Sequence, residues 1–592
     1  MGLRSRTGGK SVKAVLDTLT NQDNRREQGS KTLHPPLPDE TGLGMRKWIF
    51  AVLAVYVLLF IVPLGVRPLV IPDETRYAEI PREMIETGDW VVPRLNGIRY
   101  FEKPVMGYWL SAVSIVLFGE NEFAARLPAA LSVGLTSLIV FLLVACRGAG
   151  KQVALIASFI YLTFAEVFGV GTFNVLDSQL TLFLTAACAS FLCAFLSSEA
   201  KTRFLWLSFT GIFCGLAFLT KGFLAFAVPT LAAAPFLLLQ RKARSLFSMP
   251  WIPILFAAFT CLPWAVLIAQ REPTFWHYFF WVEHVRRFFS DNPQHPQPFW
   301  YFAALLPLLS FPWSLFAPAA VAWYRKTKGR DILIRFSLCW FVFPFLFFSA
   351  SKGKLATYVL PCLPPLAILI ANGLNGYLEG GRRRLFSFFA LSSSALAAAG
   401  AVVVIILVLF PFSKLTLFGP SELWKQLLIA FTLTTWAILA FLAGRLKERK
   451  TVLVLIAAAP LLAYFSTHFI LPEGIEARKA PGAFIERHGI EIPEGAVVVS
   501  DEALAASVCW YLKRSDVHLL LDGGELEHGL TYPDSVQRLL NLDGFKSLTL
   551  KSDAGGVVLF ADSRFYARTA LPPPKEVKTE GRFTIAIYNS TK

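Results

Sequence analysis

Runs of about 20 apolar residues, separated by short polar or basic segments, recur along the chain from residue 47 to residue 470. A helix needs about 20 mainly apolar residues to cross ~30 Å of hydrocarbon. On that measure thirteen segments predict crossings: 47–67, 124–146, 152–172, 178–198, 203–220, 222–240, 251–270, 299–323, 332–350, 355–375, 385–410, 425–443 and 451–470. One apolar run, 105–118 (VMGYWLSAVSIVLF), is only fourteen residues long, the length of an interfacial or re-entrant helix. Beyond residue 473 the pattern changes, and AVVVSD, VHLLL, GVVLFAD and FTIAIYNS alternate with a helical DEALAASVCWYLKR. That alternation predicts a small soluble α/β domain.

Charge then orients the crossings. If 105–118 does not cross and the N-terminus is cytoplasmic, the inner loops are CRGAGK, SSEAKTR, QRKARS, YRKTKGRD, LEGGRRR and GRLKERK, each net basic as the positive-inside rule requires. Counting 105–118 as a crossing would throw every later basic loop outside. The expected organisation is a disordered cytoplasmic tail at 1–45, a transmembrane domain at 46–470 with an outer loop at 68–123, and an extracytoplasmic α/β domain at 471–592. Composition agrees, since 55% of the 592 residues are hydrophobic and 17% charged, far from a soluble domain. The net charge of +16 sits in short clusters between apolar runs, which excludes a nucleic-acid-binding patch on a soluble fold. Seven of the eight cysteines lie in apolar stretches and no CxxC occurs, so neither a disulfide nor a zinc cluster is expected.

With this topology the unusual polar residues collect on the outer face. Loop 71–104 carries Asp73, Glu74, Arg76, Glu79, Arg82, Glu83, Glu102 and Lys103, and FNVLDSQ carries Asp177. WVEHVRRFF supplies Glu283, His284, Arg286 and Arg287, and SASKGKLATYVLP supplies Lys352, Lys354 and Tyr358. Ionisable groups at a membrane boundary are costly unless solvated or paired, so several converging on one cavity point to function. Simpler roles stand beside that reading. Arg76, Arg82, Glu83 and Glu86 suit a solvated amphipathic helix. Asp177 suits an N-cap for a helix starting at Ser178, and Asp73–Glu74 a cap for ETRYAEIPREM. Lys221, Lys352 and Lys354 suit headgroup anchors. Lys103, in YFEKP, is held by a proline between aromatics and reads as a fixed amine.

These residues, with FEKPVMGYWL, FGENEFAARLPAALS, VEHVRRF and SKGKLATYVLP, make the chain resemble the polyprenyl-phosphate-dependent glycosyltransferases of GT-C fold, relatives of the protein O-mannosyltransferases. Within them it looks most like the lipid A 4-amino-4-deoxy-L-arabinose transferases, from about residue 47 to 470 and again in the soluble tail. The resemblance implies a Gram-negative inner-membrane enzyme, monomeric, with its site and C-terminal domain periplasmic. It would move the aminosugar from undecaprenyl phosphate to a lipid A phosphate, with inversion, and confer polymyxin resistance. It further implies that Asp73 and Asp177 are the cavity carboxylates, that Lys103, Arg287 and Tyr358 bind the carrier phosphate, and that Glu74, Arg76, Tyr77 and Glu102 line the cavity. Glu102 and His284 resemble a pair that holds a divalent metal, zinc or magnesium. No Gly-rich phosphate loop suggests a nucleotide donor.

The chemistry suits this inventory. As the sugar–phosphate bond breaks, negative charge grows on the leaving phosphate while the sugar becomes oxocarbenium-like, so cations must face one side and carboxylates the other. A phosphate acceptor needs no strong base, whereas a hydroxyl acceptor would give Asp73 a proton to take. A transferase moving mannose, galacturonate or another sugar to protein or glycan remains an alternative here, and a non-catalytic lipid transporter a more distant one.

Overall fold

The computed structural model describes residues 42–146, 150–286, 295–327, 331–410, 418–489, 492–493, 495–551 and 555–588. The expected tail 1–45 therefore lies almost wholly outside the described residues. Among these residues nine helices are long and apolar enough to cross a membrane, and two bent helix pairs bring the number to eleven. The opening helix Gly42–Tyr56 runs on through a π-helical turn, Val57–Ile61, and Leu224–Leu239 is a shorter apolar helix. Each segment expected to cross thus has a helix at its place.

Two of them are not straight rods. Lys151–Leu162 and Ala165–Gly171 meet at 64°, and Tyr301–Leu309 and Trp313–Thr327 at 100°. Pro312 cannot donate to the helical ladder and closes the second break. The breaks then satisfy each other. Ala165 N–H donates to the Phe311 carbonyl at 3.0 Å, and Trp313 Nε1 to Thr163 Oγ1 at 2.8 Å. Tyr464 Oη donates to the carbonyls of Thr163 and Phe311 at 3.1 and 3.2 Å. Freed backbone groups inside an apolar bundle must find such partners, so neither break would be stable alone.

Residues 106–118 form the helix Met106–Phe118. Tyr108, Ala112 and Ile115 are buried against the bundle while Val113, Val116, Leu117 and Phe118 are exposed, an apolar outer face suited to hydrocarbon. The preceding loop holds the helix Asp73–Thr87 and a hairpin of β1, Arg94–Leu95, and β2, Ile98–Arg99. Asn96 and Gly97 turn the hairpin at φ 58° and 70°, the positive pair that an Asn-Gly type I′ turn requires.

The soluble domain is a six-stranded sheet in the order β5-β4-β3-β6-β8-β7. Its strands are β3, Val497–Ser500, β4, His518–Leu520, β5, Leu539–Leu540, β6, Val557–Asp562, β7, Glu576–Glu580, and β8, Phe583–Tyr588. β3 runs parallel to β4 and β6, with Val497 opposite Val557, and β8 is antiparallel to β6. The helix Glu502–Leu512 packs on Asp73–Thr87, burying Trp510 beside Leu69, Ala78, Ile115 and Ala124. Asn96 fixes the hairpin to the domain, donating to the Val517 carbonyl at 2.6 Å and accepting its N–H at 2.9 Å.

Candidate active site

Neighbouring side chains of the Asp73–Thr87 helix serve opposite ends. Glu74 points into the protein, fully buried, and accepts from Arg126 Nε and Nη2 at 2.7 and 2.8 Å and from Arg67 Nη1 at 2.8 Å. It also accepts the backbone N–H groups of Val70 and Asn174, both at 3.0 Å. Burial alone would raise the Glu74 carboxyl, yet the Arg126 and Arg67 guanidiniums outweigh it and hold it below the usual carboxylate range. Glu74 is therefore the hub that ties residues 64–74 to the bundle, not a cavity residue as the resemblance implied.

The solvated-helix reading holds for Glu86, which is exposed, and fails for Arg82 and Glu83, which with Glu79 are buried where the soluble domain packs on this helix, while Arg76 is half-buried. Arg82 grips Glu79 through two bonds, Nε at 2.7 Å and Nη2 at 2.6 Å. Glu83 accepts the N–H groups of Asn96 and Gly97 and so holds the hairpin turn.

Asp73 faces the opposite way and is half-exposed. Arg76 bonds both Asp73 and, across the domain boundary, Glu525. Tyr100 Oη donates to Glu525 at 2.6 Å, and the Arg76 guanidinium lies 5.1 Å from the Tyr77 ring. The second group forms where two helix ends meet. Lys221 Nζ donates to Asp177 Oδ1 at 2.7 Å and stands 5.5 Å from the Tyr358 ring. Tyr77 lies between the groups. Burial pushes its phenol up to about 12, Asp73 and Glu525 adding to the rise while Arg76 and Lys221 oppose it.

Asp177 opens the helix Asp177–Leu196 without making a side-chain cap bond, so the capping role falls away in favour of the ion pair. Lys221 is not a headgroup anchor either, being committed to Asp177. Lys354 is buried and donates to the Gln297 carbonyl at 2.9 Å and to that of Ser351.

The third group is Lys103 and Glu102. Lys103 Nζ donates to the Glu102 carbonyl at 2.8 Å and lies 3.7 Å from its carboxylate, which accepts from Tyr278 Oη at 2.9 Å. Tyr278 stacks on His528 of the soluble domain at 4.1 Å. Burial, with Glu283 nearby, raises the Glu102 carboxyl against the opposing pull of Lys103. Arg287 lies outside the described residues, as does the side chain of His284. Among the described residues no three His, Cys, Asp or Glu side chains converge as a metal site, and Glu102 is already engaged by Tyr278 and Lys103.

Residues 45–279 match the dolichyl-phosphate-mannose-protein mannosyltransferase family, and residues 476–587 the C-terminal domain of the arabinosyl transferase ArnT. The undecaprenyl phosphate-α-4-amino-4-deoxy-L-arabinose arabinosyl transferase of Shewanella sediminis is 37% identical over 91% of this chain and 97% of its own length. That of Aeromonas salmonicida is 35% identical over 93% of this chain and the whole of its own. This chain belongs to that arabinosyl transferase family. It is a multi-pass membrane glycosyltransferase. The crystal structure of ArnT from Cupriavidus metallidurans bound to undecaprenyl phosphate superposes with a TM-score of 0.77 at 23% identity, covering 92% of this chain and 98% of the other, and shares the GT-C fold.

In this arabinosyl transferase family member the sequence reading missed Lys221 as a partner of Asp177, and missed Tyr100, Tyr278 and Glu525 altogether. Tyr100 follows an Asn-Gly hairpin signal, RLNGIR, that would have placed it. Glu525 carries no local signal, because only the docking of a domain 400 residues downstream brings it to Arg76.

Proposed function

We propose that the chain transfers 4-amino-4-deoxy-L-arabinose, with inversion, from undecaprenyl phosphate to a phosphate of lipid A at the periplasmic face of the Gram-negative inner membrane. The observation that carries this reading is the 37% identity to an arabinosyl transferase over nearly the full length of both chains. The bond between the anomeric carbon and the carrier phosphate breaks, undecaprenyl phosphate leaves with the electron pair, and a lipid A phosphate oxygen bonds the opposite face. Lys103 and Tyr358, joined by Arg287, stabilise the leaving phosphate. Asp73 and Asp177 stabilise positive charge on the ring, Lys221 fixing Asp177 in place. The acceptor is already an anion, so no carboxylate need remove a proton. An aminosugar on a lipid phosphate adds positive charge, which weakens attraction of cationic peptides and polymyxin.

The basic inner loops support the orientation. So do contacts among segments expected on the outer side: Asp89 with Arg271, Arg99 with Glu272 and Asp534, and Pro296 with Gly353. A divalent ion on Glu102 and His284 would supply a Lewis acid to a phosphate oxygen. The described residues do not complete its ligand set, and no step is routed through it.

The test is purified protein in detergent given undecaprenyl-phosphate-linked aminoarabinose and lipid A. Mass spectrometry should find lipid A heavier by one aminopentose and free undecaprenyl phosphate released. Asp73→Asn should lower both signals about 10²-fold or more, and Lys103→Ala should lose carrier binding. Wild-type turnover in both variants would remove the site assignment. The match of residues 45–279 to protein mannosyltransferases carries a second reading, another polyprenyl-linked sugar passed to a protein or glycan hydroxyl. In that case a mannosyl donor with a hydroxyl acceptor turns over and lipid A does not.

A further inference from the structure

The soluble domain meets the Asp73–Arg76 group through one loop at the C-terminal end of β4, the end of a parallel sheet at which α/β folds place ligands. The loop runs Asp522-Gly523-Gly524-Glu525. Gly524 has φ 51°, and a Cβ there would lie 2.4 Å from Glu502 Cγ, so a side chain would be strained and would displace Glu502 where the chain turns to deliver Glu525. Glu525 meets Arg76 and Tyr100, and Arg76 also meets Asp73, so one guanidinium serves two carboxylates. Glu502 and Asp522 add further negative charge beside them, and Glu502 is raised by burial and by its repulsion from Asp522 and Glu525. This wall of the cavity carries an excess of anionic charge, while the Lys103 and Lys221 amines belong to the other two groups.

A second observation points to a ligand. Tyr108 is fully buried, its ring centroid 6.2 Å from that of Tyr77, and its hydroxyl has no hydrogen-bond partner among the described residues. The Tyr77 ring beside it is the one that the Arg76 guanidinium covers at 5.1 Å, which sets Tyr108 next to the group formed by Arg76, Asp73 and Glu525. An unsatisfied buried hydroxyl costs free energy unless a ligand supplies its partner. The donor named for the relatives is an aminosugar, whose primary ammonium carries three N–H donors and no acceptor. Its own phosphate is anionic, so the donor is dipolar and calls for a cavity with cations at one end and surplus carboxylate at the other.

We propose that Glu525 of the soluble domain, together with the hydroxyl of Tyr108, receives the ammonium group of the transferred sugar and sets the preference for an aminosugar over a neutral one. The proposal rests on the reading of the reaction given above and adds its specificity determinant. It assigns the soluble domain a direct part in donor selection.

The test compares two donors, undecaprenyl-phosphate-linked 4-amino-4-deoxy-L-arabinose and its 4-hydroxy analogue, which is nearly the same size without the charge. The wild type should favour the amino donor by up to about 100-fold in kcat/KM, because the hydroxyl analogue keeps a neutral hydrogen bond and loses only what the charge adds to it. Glu525→Gln should bring the ratio within about 10-fold by losing the amino donor preferentially, and Glu525→Asp should restore part of it. Tyr108→Phe should raise KM for the amino donor more than it lowers kcat. The ratio is independent of how much of each variant folds. A ratio unchanged in Glu525→Gln, or equal losses with both donors, overturns the proposal. A wild-type enzyme that turns over neither donor overturns the reading of the reaction, and the proposal with it.

Discussion

Asp73 and Glu74 are consecutive carboxylates that should fail in opposite ways. In Glu74→Gln an NH2 group replaces one oxygen. Oε1 accepts from Arg126 and from Asn174 N–H, and Oε2 from Arg67, Arg126 and Val70 N–H. Whichever oxygen is replaced, at least two donors then face a donor. Two guanidiniums also lose their counter-ion, although Arg126 keeps the carbonyls of Leu64, Arg67 and Pro68. Removing one partner of a buried ion pair costs about 3–5 kcal/mol, roughly 10²- to 4 × 10³-fold in an equilibrium constant. Asp73 is 44% exposed and shares Arg76 with Glu525, so Asp73→Asn should cost about 1 kcal/mol or less. Its effect should fall on turnover, about 10²-fold or more, if it stabilises charge on the sugar. The assay is the thermal midpoint in detergent, read as the monodisperse fraction after a heat step, beside single-turnover release of the carrier. A Glu74→Gln protein as heat-resistant as wild type, or an Asp73→Asn protein as fragile as Glu74→Gln, would refute the division of labour.

Lys221→Met should leave the buried Asp177 without a cation and lower carrier release about 10²-fold, an expectation that wild-type rates would contradict. Burial raises the Asp501 carboxyl to about 6, while the Asp562 and Leu504 N–H groups pull it down only in part. The native state then binds a proton the unfolded chain releases near 3.9, so stability should fall as pH rises from about 4 to 6, by roughly 3 kcal/mol. Thermal midpoints across this window should show that slope in wild type and lose it in Asp501→Asn. A Cβ at Gly529 would lie 2.3 Å from the Arg99 carbonyl and 2.6 Å from Ile98 Cγ2. Gly529→Ala should therefore push the soluble domain from the β1–β2 hairpin and cost about 1–3 kcal/mol, seen as a lower midpoint.

The apolar runs were enough to place the apolar helices, because a helix in hydrocarbon must satisfy its own backbone and so needs a long run of apolar side chains. The breaks at Thr163 and Pro312 were not legible as a pair. Each exposes polar backbone that only the other, with Trp313 and Tyr464, can satisfy. The strands AVVVSD and GVVLFAD announced the soluble domain through their β-branched runs, yet their central place in the sheet came from pairing across more than fifty residues.

The sequence by itself determined the membrane class and the motifs that mark the family, since these depend on residue type and local spacing. Only the tertiary structure decided which charge meets which. It turned Glu74 inward to Arg126 and left Asp73 facing Arg76, paired Asp177 with Lys221 rather than with its own helix end, and brought Glu525 to Arg76 from the far end of the chain. A carboxylate looks the same in sequence whether it is fully buried between guanidiniums or half-exposed at a cavity rim, and only packing in three dimensions settles how much solvent and which counter-ion it has.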